Sequence, residues 1–231
     1  MNLVTFSGPP SSGKTAVILK TIEAIQQRDL KVGVVKFDCL YTNDDEVYRK
    51  AGVPVKKGLS GSLCPDHYFV SNIEEVVQWG REKELDLLIT ESAGLCNRCS
   101  PYIKDIKAIC VIDNLSGINT PKKIGPMLKT ADIVVITKGD IVSQAEREVF
   151  ASRVNTVNPD AMVMNVNGLT GQGAYEFSTL LYDDEDHIET VTGKKLRFSM
   201  PSAMCSYCLG ETRIGEEHQL GNVRKIELGD E

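Results

Sequence analysis

Residues Gly8-Pro9-Pro10-Ser11-Ser12-Gly13-Lys14-Thr15 constrain the fold of this chain more than any other stretch. They follow a short apolar run, Leu3 to Phe6, and open a segment with apolar residues at helical spacing, Val17, Ile18, Ile22 and Ile25. Strand, glycine-bounded loop and helix is the context in which the pattern G-x-x-x-x-G-K-[ST] becomes a phosphate site. Consecutive backbone N–H groups of the loop, and the unpaired N–H groups of the new helix, converge on one anion. Lys14 adds a full charge near the outer phosphates, and the Thr15 hydroxyl is placed to bind magnesium. An ordinary Gly/Ser turn is the bland alternative, and the flanking strand and helix argue against it. Gly8, Ser11, Ser12, Gly13, Lys14 and Thr15 are therefore read as the phosphate-binding residues of a nucleoside triphosphate site.

The rest of the chain repeats the alternation. Lys31 to Phe37 reads as a buried strand ending at Asp38, and Thr42 to Lys50 as a polar loop or short helix. A glycine- and serine-rich stretch, Gly58 to His67, precedes a helix predicted over Asn72 to Lys83. Leu85 to Thr90 is a strand that runs into Glu91-Ser92-Ala93-Gly94-Leu95-Cys96-Asn97-Arg98-Cys99. Further strands are predicted at Ala108 to Ile112 (ending at Asp113), Ile133 to Thr137 and Ala161 to Asn165, with a helix from about Ser143 to Val154. Near-continuous apolar strands alternating with helices imply an α/β fold with a mostly parallel central sheet covered on both faces. The candidate functional residues lie just past the C-terminal ends of strands, where open α/β sheets bind ligands.

The acidic run Tyr182-Asp183-Asp184-Glu185-Asp186 reads as a boundary, dividing a domain over 1–182 from a small cysteine-containing appendage over 183–231. Two strand-like pieces, Lys195 to Met200 and Asn222 to Leu228, suggest a hairpin there. A net charge of −6 offers no basic excess for phosphate neutralisation and argues against a general nucleic-acid binder. No apolar run is long enough to span a bilayer. The chain enters a strand within two residues, which predicts no signal peptide and a cytoplasmic protein. Seven cysteines in that compartment are not expected to form structural disulfides. Four of them form two C-x-x-C pairs, Cys96/Cys99 and Cys205/Cys208.

Thr137-Lys138-Gly139-Asp140 selects the base. A carboxylate at the end of a strand accepts two hydrogen bonds from N1–H and the 2-amino group of guanine, and adenine offers no such pair. The stem of Lys138 is placed to lie along the base plane. A Lys/Asp cap at a helix start is the alternative.

The order of these segments resembles the metal-insertion GTPases of the SIMIBI class, which include the hydrogenase- and urease-maturation nickel chaperones and the CobW-type proteins. Glu91-Ser92-Ala93-Gly94 is similar to that family's E-x-x-G switch motif. Cys110 to Asp113, Pro121 to Pro126 and Ala131 to Asp140 resemble the urease-type chaperone. Leu169-Thr170-Gly171-Gln172-Gly173 resembles the glycine-rich base loop of the hydrogenase type. The likeness covers about residues 1–180; the departures are Thr137, where asparagine is frequent, and the tail. It implies a three-layer P-loop NTPase fold and a GTPase using GTP and Mg2+. In it, Lys14, Asp38 and Glu91 carry hydrolysis, and Asp38 and Glu91 join Thr15 around the magnesium. Thr137, Lys138 and Asp140, with Gly168, Leu169 and Thr170, hold the base. Asp113 is read as an N-cap more than as a site residue.

In the related nickel chaperones a Cys-His or Cys-Pro-His motif before the E-x-x-G segment binds metal, and in the hydrogenase type a further cysteine follows it. Cys64-Pro65-Asp66-His67 resembles the first with one residue inserted, and Cys96-x-x-Cys99 takes the place of the second. Thiolate with imidazole suits zinc or nickel, and an all-thiolate set suits zinc or an iron–sulfur cluster. Buried, inert cysteine is the alternative for Cys96 and Cys99, and is the reading adopted for Cys39 and Cys110. Cys205 and Cys208 either pair with His218 and one more ligand or join Cys96 and Cys99; both arrangements are open. The reading implied is a GTP-driven metal-delivery or metallocofactor-assembly protein with a metalloenzyme client. It is expected to form a homodimer in which two copies of Cys96 and Cys99 close one site. Two other readings stay open: a nucleotide-hydrolysing iron–sulfur protein with a cluster bridging two subunits, and a regulatory GTPase with structural thiols.

Overall fold

A computed structural model describes residues 1–185, 187–199, 211–219 and 221–228. The chain builds β1 (Asn2–Ser7), α1 (Lys14–Gln26), β2 (Val32–Asp38), α2 (Asp44–Lys50), β3 (Val55–Leu59), α3 (Pro65–Glu82) and β4 (Leu87–Ser92). It continues with β5 (Lys107–Asp113), α4 (Thr120–Ile124), α5 (Pro126–Lys129), β6 (Ile133–Thr137), α6 (Gln144–Val157), β7 (Met162–Asn165) and α7 (Ala174–Ser178). The seven strands form one sheet in the order β3-β2-β4-β1-β5-β6-β7. Every pairing is parallel. Helices cover both faces, so β1 and β4 are buried along their whole length and carry apolar runs rather than alternation.

One face packs α3 and the tail residues Val191, Leu196, Ile214 and Ile226 in a common apolar core. The other face packs α1 and Phe177 of α7 against β1, β2 and β4. This strand order positions the site. β1 is central, with β4 and then β2 on one side and β5 and then β6 on the other, so the loops after all five strands share one edge.

Three local expectations are corrected. The helix predicted from Asn72 starts at Pro65, so Cys64-Pro65-Asp66-His67 is a helix cap and first turn, not a loop. Proline at the first position presets the helical φ. Every residue from Pro65 to Ile73 is buried, which hides the helical period. β3 was not predicted at all: its sequence VKKGL carries two lysines and a glycine because it is an edge strand.

The tail strands are not strands. Leu196 and Lys195 form only isolated antiparallel bridges, to Ile103 and Arg213. Residues 222–228 run without regular pairing, because their partner is a helix: Ile226 N–H donates to Asn72 Oδ1 at 2.8 Å, and Asn72 Nδ2 donates to Arg224 O at 2.9 Å. Arg197 straps this segment down, donating to both oxygens of Asp132 at 2.6 and 2.7 Å and to the carbonyls of Ile103, Ile106 and Thr130. Cys205 and Cys208 lie outside the described residues. Among the described residues, no helix is long and apolar enough to cross a membrane.

Candidate functional site

The phosphate loop is held from both sides by backbone. A Cβ on Gly8 would lie 2.0 Å from the carbonyl oxygen of Val111 in β5, so only glycine fits there. Gly94, at φ +66°, leans on the same loop: a Cβ on it would lie 1.7 Å from the Gly8 carbonyl oxygen. The E-x-x-G glycine and the phosphate loop are therefore in direct backbone contact. Gly94→Ala must push the switch segment away from Gly8, and an L-residue at this φ is strained as well. We expect the affinity for a fluorescent GTP analogue to fall at least about tenfold in a titration; unchanged affinity would show that the contact is dispensable.

Lys14 is buried and its Nζ donates to the carbonyls of Gly8 and Pro9, both at 2.9 Å. Burial pulls its pKa down to about 8, against the attraction of Glu91 and with the repulsion of Lys36. Ser12 Oγ is buried with no hydrogen-bond partner among the described residues, as expected of a donor meant for a phosphate oxygen. Thr15 Oγ1 lies 2.9 Å from Glu91 Oε1 and 3.1 Å from Asp44 Oδ2. Glu91 is fully buried at the end of β4, and the hydroxyl of Tyr48 donates to its Oε2 at 2.8 Å. Asp38 closes β2, with one oxygen accepting the Cys39 N–H at 2.8 Å. The cavity lined by Lys14, Thr15, Lys36, Asp38, Asp44 and Glu91 measures about 500 Å3, within the range of small-ligand sites. Hydroxyl and carboxylate oxygens are the donor set a magnesium ion takes, so these residues fit that ion.

A second cavity, of 410 Å3, lies past β6 and β7 and is lined by Asp140, Arg147, Asn167, Gln172, Gly173 and Glu176. Asp140 sits there in a 3-10 turn, Gly139–Ile141. Thr137 is buried, and its hydroxyl donates to Ser12 O at 2.6 Å, so it braces the phosphate loop. Lys138 adopts φ 57° and its Nζ donates to Ser11 O at 2.8 Å, tying base segment to phosphate segment. Asp113 caps the turn that follows β5, accepting Leu115 N–H at 3.0 Å, in line with its reading as a cap. Gly168 lies against α1, where a Cβ would come within 2.9 Å of Ala16 Cβ. Asn167 Oδ1 accepts from the N–H groups of Leu169 and Thr170 at 2.9 and 3.1 Å and so shapes the loop next to Asp140.

The thiols divide differently from the sequence expectation. Cys64, Asp66 and Cys99 place one donor atom each within 4.8 Å of one another. Cys99 Sγ donates to Asp66 Oδ2 at 3.2 Å, and Ser92 Oγ donates to Asp66 Oδ1 at 2.7 Å. A hydrogen bond between the two thiols lowers the Cys64 pKa to about 7; the same bond and burial raise that of Cys99. Burial raises the Asp66 carboxyl, against its bonds to Ser92 and Cys99. His67 and Cys96 are not in this group. His67 is buried in the first turn of α3, its ring hydrogen-bonded to the backbone of Asn222, and burial lowers its pKa to about 4. Cys96 is half-buried against the α3 core and accepts the Arg98 N–H at 3.4 Å. The cause is helical: starting α3 at Pro65 turns residues 64 and 66 toward β4, and residue 67 toward the tail. Cys110 is core, its thiol pushed up to about 12 by burial, whereas Cys39 is only half-buried. His218 lies in the 3-10 turn Glu216–His218, its Nε2 3.4 Å from Glu217 Oε1.

Sequence reasoning missed Lys36, Asp44, Tyr48, Asp66 and Asn167. A lysine inside a buried parallel strand was the available signal for Lys36, and the carboxylate inside the C-P-D-H motif was the signal for Asp66.

Residues 2–165 match the family described as CobW/HypB/UreG, nucleotide-binding domain. Uncharacterized protein MJ0120 of Methanocaldococcus jannaschii is 48% identical over 98% of this chain and 97% of its own length. Urease accessory protein UreG of Edwardsiella ictaluri is 29% identical over 78% of this chain and 93% of its own. Among solved structures, HypB from Helicobacter pylori in complex with nickel shares the fold at a TM-score of 0.62 and 22% identity, covering 78% of this chain and 85% of that one. A phosphate loop braced by an E-x-x-G glycine thus stands within a match spanning most of the chain, and the protein belongs to the CobW/HypB/UreG family of nucleotide-binding proteins.

Proposed function

We propose that this protein binds and hydrolyses GTP and uses the nucleotide state to take up and release a transition-metal ion destined for a metalloenzyme client. The observation that carries this reading is the shared segment. Glu91 reaches into the phosphate cavity, and its neighbour Ser92 holds Asp66, which in turn contacts Cys99. Lys14 and the loop N–H groups bind the phosphates, Thr15 with Asp44, Asp38 and Glu91 would hold the magnesium, and Asp140 selects guanine. A bound magnesium neutralises charge on the outer phosphates. The protein's own part is positioning and fixed charge, which carry most of the rate in phosphoryl transfer. The names of the relatives support the reading, one being a urease accessory protein and one a structure in complex with nickel.

Two thiols and a carboxylate make a three-donor group with one tetrahedral position left open, a form suited to an ion in transit. That mixed set favours a single zinc or nickel ion over an iron–sulfur cluster, whose ligands are thiolates. Dimerisation through the nucleotide edge belongs to the same reading, supported by exposed Leu95 in the cavity lining and by exposed Leu40 and Tyr41 in the segment between its lining residues Asp38 and Asp44. The test is metal titration with GDP and with a non-hydrolysable GTP analogue. Affinity is expected to differ at least about fivefold between the two states, and to be lost in Cys64→Ser/Cys99→Ser. Equal affinity in both states would make the thiols structural and remove the proposed coupling.

A further inference from the structure

Lys36 has no place in any of the motifs, yet it is only 4% exposed in a strand otherwise apolar over most of its length. An ammonium is held in such a place only when it is paired. Lys36 and Glu91 are register partners in the neighbouring parallel strands β2 and β4, so they project from the same face of the sheet. Lys36 Nζ donates to Glu91 Oε1 at 2.7 Å and lies 2.7 Å from Asp44 Oδ2. Those are the same two oxygens that sit against Thr15 Oγ1. The ammonium therefore contacts both carboxylate oxygens that flank the hydroxyl expected to hold the divalent ion.

We propose that Lys36 is a tethered counter-ion that keeps free divalent ions out of the phosphate cavity and gives way only when the ion arrives with a triphosphate. The inference rests on reading this cavity as the site of magnesium and GTP. The cavity's fixed charges are Lys14 and Lys36 against Asp38, Asp44 and Glu91, one net negative charge in all. A lone divalent cation gains little there and must displace an ammonium from both carboxylates. With a triphosphate present, the added negative charge stabilises both the ion and the displaced ammonium. In a protein that also carries a cargo ion on Cys64 and Cys99, the same device keeps that ion from lodging among the oxygens.

The experiment is Mn2+ binding followed by electron paramagnetic resonance, with and without a GTP analogue, in wild type, Lys36→Met and Lys36→Gln. Mn2+ prefers oxygen donors and binds thiolates weakly, so the signal reports this cavity. Nucleotide-free affinity is expected to rise at least about tenfold in both variants, as a positive charge beside the ion is removed. A variant that folds only when Mn2+ is supplied supports the inference equally. Unchanged nucleotide-free affinity overturns it, and so does loss of the fold in both variants without rescue by Mn2+, which would leave Lys36 a structural ion pair. Absence of Mn2+ binding to the wild type even with the GTP analogue would instead overturn the reading of the cavity.

Discussion

Lys14→Ala is expected to lower single-turnover GTP hydrolysis at least about 1000-fold. Lys14 is bonded within the phosphate loop through the carbonyls of Gly8 and Pro9, whereas Lys138 reaches the loop from outside it, at Ser11 O. Its buried position means that the charge it is expected to direct at the outer phosphates would be weakly screened, and alanine leaves nothing in its place. Glu91→Gln gives the contrasting result. Glutamine keeps the length of the side chain and one of the two acceptor oxygens, which Thr15 and Tyr48 contact separately, but loses the negative charge. Hydrolysis should fall about 100-fold while GTP affinity changes far less, since that charge matters chiefly as the transition state forms. Quench-flow and equilibrium binding separate the two quantities. A Glu91→Gln protein with normal turnover and lost affinity would show that the two residues' roles are misassigned.

Asp140→Asn should exchange the base preference. The carboxylate is expected to accept two hydrogen bonds from guanine, a charge-assisted pair of about 3 kcal/mol, so GTP affinity should drop about 100-fold. Xanthosine triphosphate, with an acceptor where guanine has a 2-amino donor, should gain a comparable factor. Competition titration against a fluorescent GTP analogue reads both changes. Equal affinity of the wild type for ATP and GTP would remove Asp140 from this role. Thr137 is not expected to show such a switch, because its hydroxyl is spent on Ser12 O, and its loss should weaken all nucleotides alike.

The division between the two sites explains why an exposed aspartate and a buried lysine carry the largest expected effects. Phosphate recognition depends on charge held in a poorly solvated cavity. In the proposed assignment, base recognition would depend on matching donors and acceptors in the second cavity, next to Asn167 and Gln172. Thr137 and Lys138 join the two cavities through Ser12 and Ser11, so a base bound at Asp140 would be expected to order the phosphate loop as well.

Sequence alone determined what is local. The phosphate loop is eight contiguous residues whose function lies in its own backbone N–H groups, so its pattern and flanks suffice to name it. The parallel sheet was legible because strands buried on both faces must be apolar throughout. The tertiary structure decided whatever depends on strand order. β4 inserts between β1 and β2, which sets Glu91 beside Lys36 and Thr15, and no spacing in the chain encodes that neighbourhood. The thiol group followed from where α3 starts. One proline moved the helix start to residue 65, selected Cys64 and Asp66 to meet Cys99, and left His67 and Cys96 outside. Side chains distant in sequence meet only through the packing of the elements that carry them. Their pairing is a property of the assembled core and of no single segment.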